Sequence, residues 1–253
     1  MPIVNRVAAL SDEMAAWRHD FHENPELLYE VHRTAGRVAE LLREFGVDEV
    51  IEGIGRTGVV GIIRGNLPGN RTIGFRADMD ALNIMEENNK PHISKIPGKM
   101  HGCGHDGHTA MLLGTAKYLN ETRNFNGRVH LIFQPAEEGA RGANAMMDDG
   151  LFDRYPCDAV YALHNWPAVP RGKMVIRSGP FMAASDRFKM VIKGRGGHAA
   201  MPDKTIDPIV IASQITLALQ TLISRKVDPV DSAVISVTNF NGGTGADNVI
   251  PDN

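Results

Sequence analysis

Apolar positions recur at helical spacing through Val7, Leu10, Met14, Trp17 and Phe21, which predicts an amphipathic helix over residues 4–21, stopped at Asn24-Pro25. A second helix is expected from about Thr34 to Phe45, ending at Gly46. The period then shortens. Val59 to Ile63 and Thr72 to Phe75 are short apolar, β-rich runs, and the turn-rich segment 65–70 between them predicts a hairpin. Arg76-Ala77-Asp78-Met79-Asp80 follows directly, placing two carboxylates at a strand end. Further strands are read at Arg128 to Phe133 and Asp158 to Leu163. Helices are expected at Thr109 to Leu119 and Ala140 to Met147. Each strand is followed by a polar cluster: Asp78, then Glu137-Glu138, then His164. In an open α/β sheet, ligands collect outside the carboxyl ends of the strands, so these clusters are expected to meet on one rim.

After Gly179-Pro180 the pattern restarts, with a strand at Arg187 to Lys193, a long helix at Ile206 to Ile223 and a strand at Ala233 to Phe240. This predicts two domains, residues 1–180 and 181–253, the second α+β. The chain stops in a glycine-rich stretch, residues 241–253, with no helix to cover the last strand, and is expected to be a fragment.

Composition changes this picture little. The 253 residues suffice for a substantial core, and a net charge of −3 gives no electrostatic case for a nucleic-acid partner. No apolar run reaches membrane-spanning length, and the N-terminus lacks a signal core. Two cysteines do not make a disulfide framework, so a reducing cytoplasm is the default.

The chemistry concentrates in Met100-His101-Gly102-Cys103-Gly104-His105-Asp106-Gly107-His108-Thr109. Imidazole, thiolate and carboxylate are the donors of zinc and related divalent ions, and the glycines let several of them converge. With Glu138 and His164, Cys103 and His105 offer a donor set drawn from three loops. A divalent ion held there acidifies water and polarises a carbonyl, and the adjacent Glu137 is placed to act as general base. Plainer readings stand beside this one. A Glu-Glu pair is commonly a solvated charge at a helix start. Taken alone, His164 before Asn-Trp-Pro reads as structural more often than as a ligand, Asp78 and Asp80 as turn caps, and His198 as a loop histidine. Cys103 with a histidine base would make a thiol nucleophile. The dense histidine cluster and remote acids fit coordination better.

Residues 75–82 (Phe-Arg-Ala-Asp-Met-Asp-Ala-Leu), the 101–109 loop, residues 133–139 (Phe-Gln-Pro-Ala-Glu-Glu-Gly), Ala162-Leu163-His164-Asn165 and Gly194-x-Gly-Gly-His198 together resemble the N-acyl-amino-acid amidohydrolases, in family order and over nearly the whole chain. This group comprises hippurate hydrolase, bacterial aminoacylases and auxin-conjugate hydrolases, within the metal-dependent aminoacylase and carboxypeptidase superfamily. The resemblance implies an α/β fold: a mixed-sheet, metallopeptidase-like catalytic domain with an inserted α+β lid that mediates homodimerisation. It implies Cys103, His105, Glu138 and His164 as metal ligands, Glu137 as catalytic base, and Asp78 as the acid supporting the site from behind the ligands. His198 would hold the oxyanion, and Asn248 is carried as a substrate contact. Two divalent ions per site are implied, manganese or zinc, with cobalt or nickel as alternatives. The substrate is a small N-acyl amino acid, with no nucleic acid or membrane partner. Relatives continue past residue 253 and add a further metal histidine, so the chain alone is expected to be one ligand short. The alternative is a metal-binding protein, or inactive fragment, without catalysis.

Overall fold

The computed structural model describes residues 4–253, which divide into two compact units, the first ending at Val175 and the second spanning Ile176–Asn253. The first runs α1 (Asn5–Ala9), α2 (Ser11–Glu23), α3 (His32–Glu44), β1 (Glu49–Ile54), β2 (Gly58–Arg64), β3 (Leu67–Asp78), α4 (His105–Thr122), β4 (Asn126–Gln134), α5 (Gly142–Asp148), α6 (Leu151–Arg154) and β5 (Ala159–Ala162). Its five strands form one mixed sheet in the order β1-β2-β4-β3-β5.

Successive side chains of a strand point to opposite faces, and the central strands use both. Val59 and Ile63 of β2, with Leu131 and Phe133 of β4, face Trp17, Phe21, Val38, Leu42 and Leu113 from α2, α3 and α4. Val60, Ile62 and Ile132 face Met146 of α5 and Leu151 of α6. Helices thus cover both faces, which is why β2 and, apart from His130, the Val129–Phe133 stretch of β4 are apolar on both sides.

The expected hairpin between the second and third apolar runs does not form. β4 lies between them, antiparallel to β2 (Val59↔Phe133) and parallel to β3 (Phe75↔Leu131). A strand apolar on both faces belongs in the sheet interior. The connecting turn bonds to the segment entering β4, Gly65 N–H to the Gly127 carbonyl at 3.0 Å and Leu67 N–H to the Phe125 carbonyl at 3.1 Å. The hairpin that does form lies one strand earlier, between β2 and β1. β1 carries glutamates and a glycine on an edge, so its pattern gave no strand signal. The first predicted helix is broken at Leu10 into α1 and α2, and α4 begins at His105 rather than Thr109.

The alignment of strand ends is what matters for chemistry. β4, β3 and β5 are mutually parallel, with Asp78 opposite Gln134 and Arg76 opposite Ala162. Their carboxyl ends therefore lie along one edge, and the residues after each strand emerge together.

The second unit contains β6 (Gly197–His198), a single 3-10 turn (Pro202–Lys204), α7 (Pro208–Lys226) and β7 (Val249–Ile250). Asp207 caps α7, its carboxylate accepting the Ile209 N–H at 2.9 Å, and Pro208 occupies the first turn. β6 and β7 pair antiparallel. The strands expected at 187–193 and 233–240 are not formed, because neither segment finds a partner strand among the described residues. No helix among the described residues is long and apolar enough to cross a membrane.

Phe133 is fully buried where β4 meets the helical layer. Phe133→Ala is expected to cost about 3–5 kcal/mol, read as a lower urea midpoint in equilibrium unfolding; a change below about 1 kcal/mol would contradict this packing.

Candidate metal centre

Three parallel strand ends and one helix start supply the site. Asp78 closes β3, Glu137 and Glu138 follow β4, His164 follows β5, and Cys103 and His105 stand at the start of α4. Gly104 makes this entry possible. Its backbone is left-handed (φ +81°), and a Cβ there would lie 1.9 Å from the Asn165 side-chain nitrogen. Asn165 Nδ2 instead donates to the Gly104 carbonyl at 3.1 Å, tying the segment after β5 to the loop.

Hydrogen bonds settle which ring nitrogens are free. His105 Nδ1 donates to the Asp80 carbonyl at 2.8 Å, and His164 Nδ1 donates to the Asn165 carbonyl at 2.6 Å. A carbonyl can only accept, so in each neutral ring Nε2 keeps its lone pair. This is the arrangement that orients a metal-binding histidine. His105 Nε2 is buried with no hydrogen-bond partner, as is Glu138 Oε1. Around His105 Nε2 stand Asp78 Oδ2 at 3.6 Å, Glu137 Oε2 at 3.9 Å and Glu138 Oε1 at 3.9 Å. Cys103 Sγ lies 3.3 Å from His164 Nε2. Two ligands each about 2.1 Å from a tetrahedral ion lie about 3.4 Å apart. The donor spacing therefore fits a divalent ion, and two groups converge on His105: Cys103-His105-His164 and His105-Glu137-Glu138.

A third group of suitable spacing, Asp78-His105-His108, is a different matter. His108 Nδ1 donates to Asp78 Oδ1 at 2.6 Å, and its Nε2 accepts the Asn165 N–H at 3.0 Å. Both nitrogens are used, so His108 is a strut. Asp78 also accepts from Arg76 Nη1 at 2.7 Å. It therefore stands behind His105 with most of its acceptor capacity already taken.

The electrostatics call for positive charge at the centre. Burial and the adjoining Glu138 and Glu137 carboxylates push the Cys103 thiol up to about 12. A nucleophilic cysteine is favoured by the opposite shift. Burial also raises Glu138, against the pull of His105. Burial opposes charge on His105, but the Asp80 hydrogen bond and the Asp78, Asp80 and Glu138 carboxylates outweigh it and raise its pKa. Burial likewise opposes Asp78 ionisation, yet the His108 hydrogen bond and the Arg76 charge hold that carboxyl far below the usual range.

The model of peptidase family M20/M25/M40 matches residues 74–248, which contain every residue of this centre. The chain belongs to that family. It is 49% identical over 253 residues to a hippurate hydrolase of Campylobacter jejuni, covering 100% of this chain and 65% of that protein. It is 46% identical over 247 residues to an N-acyl-L-amino acid amidohydrolase of Geobacillus stearothermophilus, covering 97% and 65%. Among solved structures, a dinuclear metal-binding peptidase of the M20 family from Bacillus subtilis matches with a TM-score of 0.68 and 36% identity, over 97% of this chain and 62% of that one. The chain thus spans less than two thirds of the length of these relatives.

For this M20-family chain, the structure brings Cys103, His105, Glu137, Glu138, His164 and Asp78 together in the first unit. His198 and Asn248 lie in the second unit. There the Ala199 N–H donates to the Asn248 carbonyl at 2.9 Å, and His198 pairs with Val249, so the two are neighbours. His198 Nδ1 accepts the Ala200 N–H at 3.1 Å, and both side chains are exposed.

Three contributors were missed in the sequence. Asp80 was read at most as a turn cap, and Asn165 as one letter of a motif. The third is a buried ion pair, Asp106 with His22. His22 Nδ1 donates to Asp106 Oδ2 at 2.9 Å and Nε2 donates to Glu86 Oε1 at 3.0 Å, while Arg18 Nε reaches the same Asp106 oxygen at 3.1 Å. A ring donating from both nitrogens is an imidazolium, and the Asp106 hydrogen bond is the main cause of its raised pKa. No spacing signal links residue 22 to residue 106.

This pair anchors the first turn of α4, next to His105. Burial opposes Asp106 ionisation, but His22, His101 and Arg18 together lower its pKa from 3.8 to about 2. A lowered carboxylate pKa stabilises the fold above the unfolded value and loses that effect as pH falls through the folded one. Asp106→Asn is therefore expected to lower the urea midpoint at neutral pH, with the gap to wild type narrowing between about pH 4 and pH 2; a gap independent of pH would refute the pairing.

Proposed function

We propose that this chain carries the metal-binding catalytic part of an amidohydrolase that cleaves the amide bond of N-acyl amino acids. The observation behind this reading is the buried, unpartnered His105 Nε2, surrounded by Glu138, Glu137 and Asp78 and adjoining the Cys103-His164 pair. Cys103, His105, Glu138 and His164 would hold the divalent cation, manganese or zinc, as one ion or a pair. Such a cation polarises the acyl carbonyl as a Lewis acid and makes water acidic enough to deprotonate near neutral pH.

The protein's own groups do the rest. Glu137 is less buried than its neighbour, its side chain 42% exposed against 18% for Glu138, so it faces incoming substrate and water. Its Oε2 takes a proton from the attacking water. As the C–N bond breaks, the same oxygen returns that proton to the departing amine, giving a carboxylic acid and a free amino acid. Asp78, held by Arg76 and His108, fixes the negative field behind His105. His198 is assigned to the oxyanion and Asn248 to the substrate on the family resemblance, with residues 181–253 as lid and dimerisation domain. The relatives named a hippurate hydrolase and an N-acyl-L-amino acid amidohydrolase support an aromatic or aliphatic acyl group on an α-amino acid.

Glu137→Gln is expected to lower hippurate hydrolysis about 10²–10⁴-fold while leaving cation binding within a factor of a few. Glycine release by the manganese-loaded protein at the full length of its relatives, and calorimetric titration of the ion, check the two halves. Retained turnover would refute the role of Glu137, and lost binding would make it a ligand instead.

A further inference from the structure

Asp80 is 1% exposed and makes three contacts that converge on the proposed centre. Oδ1 accepts the Glu137 N–H at 2.9 Å, and Oδ2 accepts the Glu138 N–H at 3.1 Å. Its main-chain carbonyl accepts Nδ1–H of His105 at 2.8 Å. Successive backbone N–H groups normally diverge. A left-handed residue at Ala136, φ 52°, precedes this pair, and turns of this kind gather adjacent N–H groups onto one anion. The following residue is fixed as well, with the Ala81 N–H bonded to the Glu26 carbonyl at 2.8 Å. The clamp is therefore anchored to the rest of the fold.

We infer that Asp80 is the positioning residue of the centre, a two-oxygen clamp that sets Glu137 and Glu138 in register with His105. It touches neither substrate nor cation and acts through the three residues it holds. Each carboxylate oxygen has one assigned amide. An amide side chain offers one acceptor and one donor, so asparagine would leave one of the two N–H groups facing an N–H₂. The oxygens of Glu138 and Glu137 would then move relative to His105 Nε2, and partners behind metal ligands typically contribute 10–100-fold in affinity. This inference rests on the metal-centre reading above.

The test uses the full chain and Co²⁺ as probe, measuring affinity by calorimetry and the thiolate-to-cobalt absorption band as a geometric signature. Asp80→Asn is expected to keep the wild-type far-UV circular dichroism, to bind Co²⁺ about 10–100-fold more weakly, and to shift the band. Asp149→Asn is the control for a merely structural clamp. Asp149 Oδ2 accepts the Gly55 N–H at 3.0 Å away from the centre, so this variant should lower the urea midpoint without moving affinity or band. If Asp80→Asn unfolds, Asp80→Glu replaces it, keeping the buried charge but displacing the clamp by one methylene, with the same loss expected. Wild-type affinity and band in whichever Asp80 variant folds, alongside lost binding in Glu138→Ala, overturns the inference and leaves the metal centre standing. Undiminished binding in Glu138→Ala overturns the metal centre itself and the inference with it.

Discussion

His105 gives its Nδ1 proton to a main-chain carbonyl, and its Nε2 lone pair is left facing three carboxylates inside the protein. Lone pair against anion is repulsive, and the buried Nε2 has no hydrogen-bond partner to relieve it. The arrangement becomes favourable when positive charge sits among these atoms. Either a proton on the ring or a metal cation supplies it, and only the cation also answers the thiol of Cys103 beside His164. The raised pKa values of Cys103, Glu138 and His105 express the same requirement from three sides.

The fold is arranged to hold that unfavourable cluster in place. Because β4, β3 and β5 run parallel and end together, three acidic or imidazole-bearing segments leave the sheet at one edge. α4 brings the fourth segment down onto them, fixed by Gly104 against Asn165 and by Asp106 against His22 and Arg18. The large two-sided core around β2 and β4 supplies the stability against which such strain is tolerated. The candidate centre thus sits at the sheet edge where backbone bonding has ended and side chains take over.

Much of this was legible from residue order. The alternation of apolar runs with polar clusters pointed to a rim where Asp78, Glu137-Glu138 and His164 meet, and the 101–109 loop offered further donors, among which the family resemblance pointed to Cys103 and His105. Strand order was not legible, since the run that separates β2 from β3 comes some fifty residues later in the chain and only its two-sided burial explains its place. Asp80 was also illegible as more than a cap, because its task is to bind two main-chain amides whose direction depends on a left-handed alanine. His108 lies in the same loop as the proposed ligands, and its two hydrogen bonds make it a support. In the second unit the long helix was visible from its pattern, whereas the runs at 187–193 and 233–240 had strand composition without a partner.

The central claim is that Cys103, His105, Glu138 and His164 bind one cation centre. X-ray absorption at the zinc edge of the zinc-loaded chain tests it most directly. The account predicts one sulfur scatterer at about 2.3 Å with nitrogen and oxygen at about 2.0–2.2 Å, the sulfur disappearing in Cys103→Ser and the imidazole signal weakening in His164→Ala. A first shell of oxygen alone, unchanged by either substitution, would contradict it.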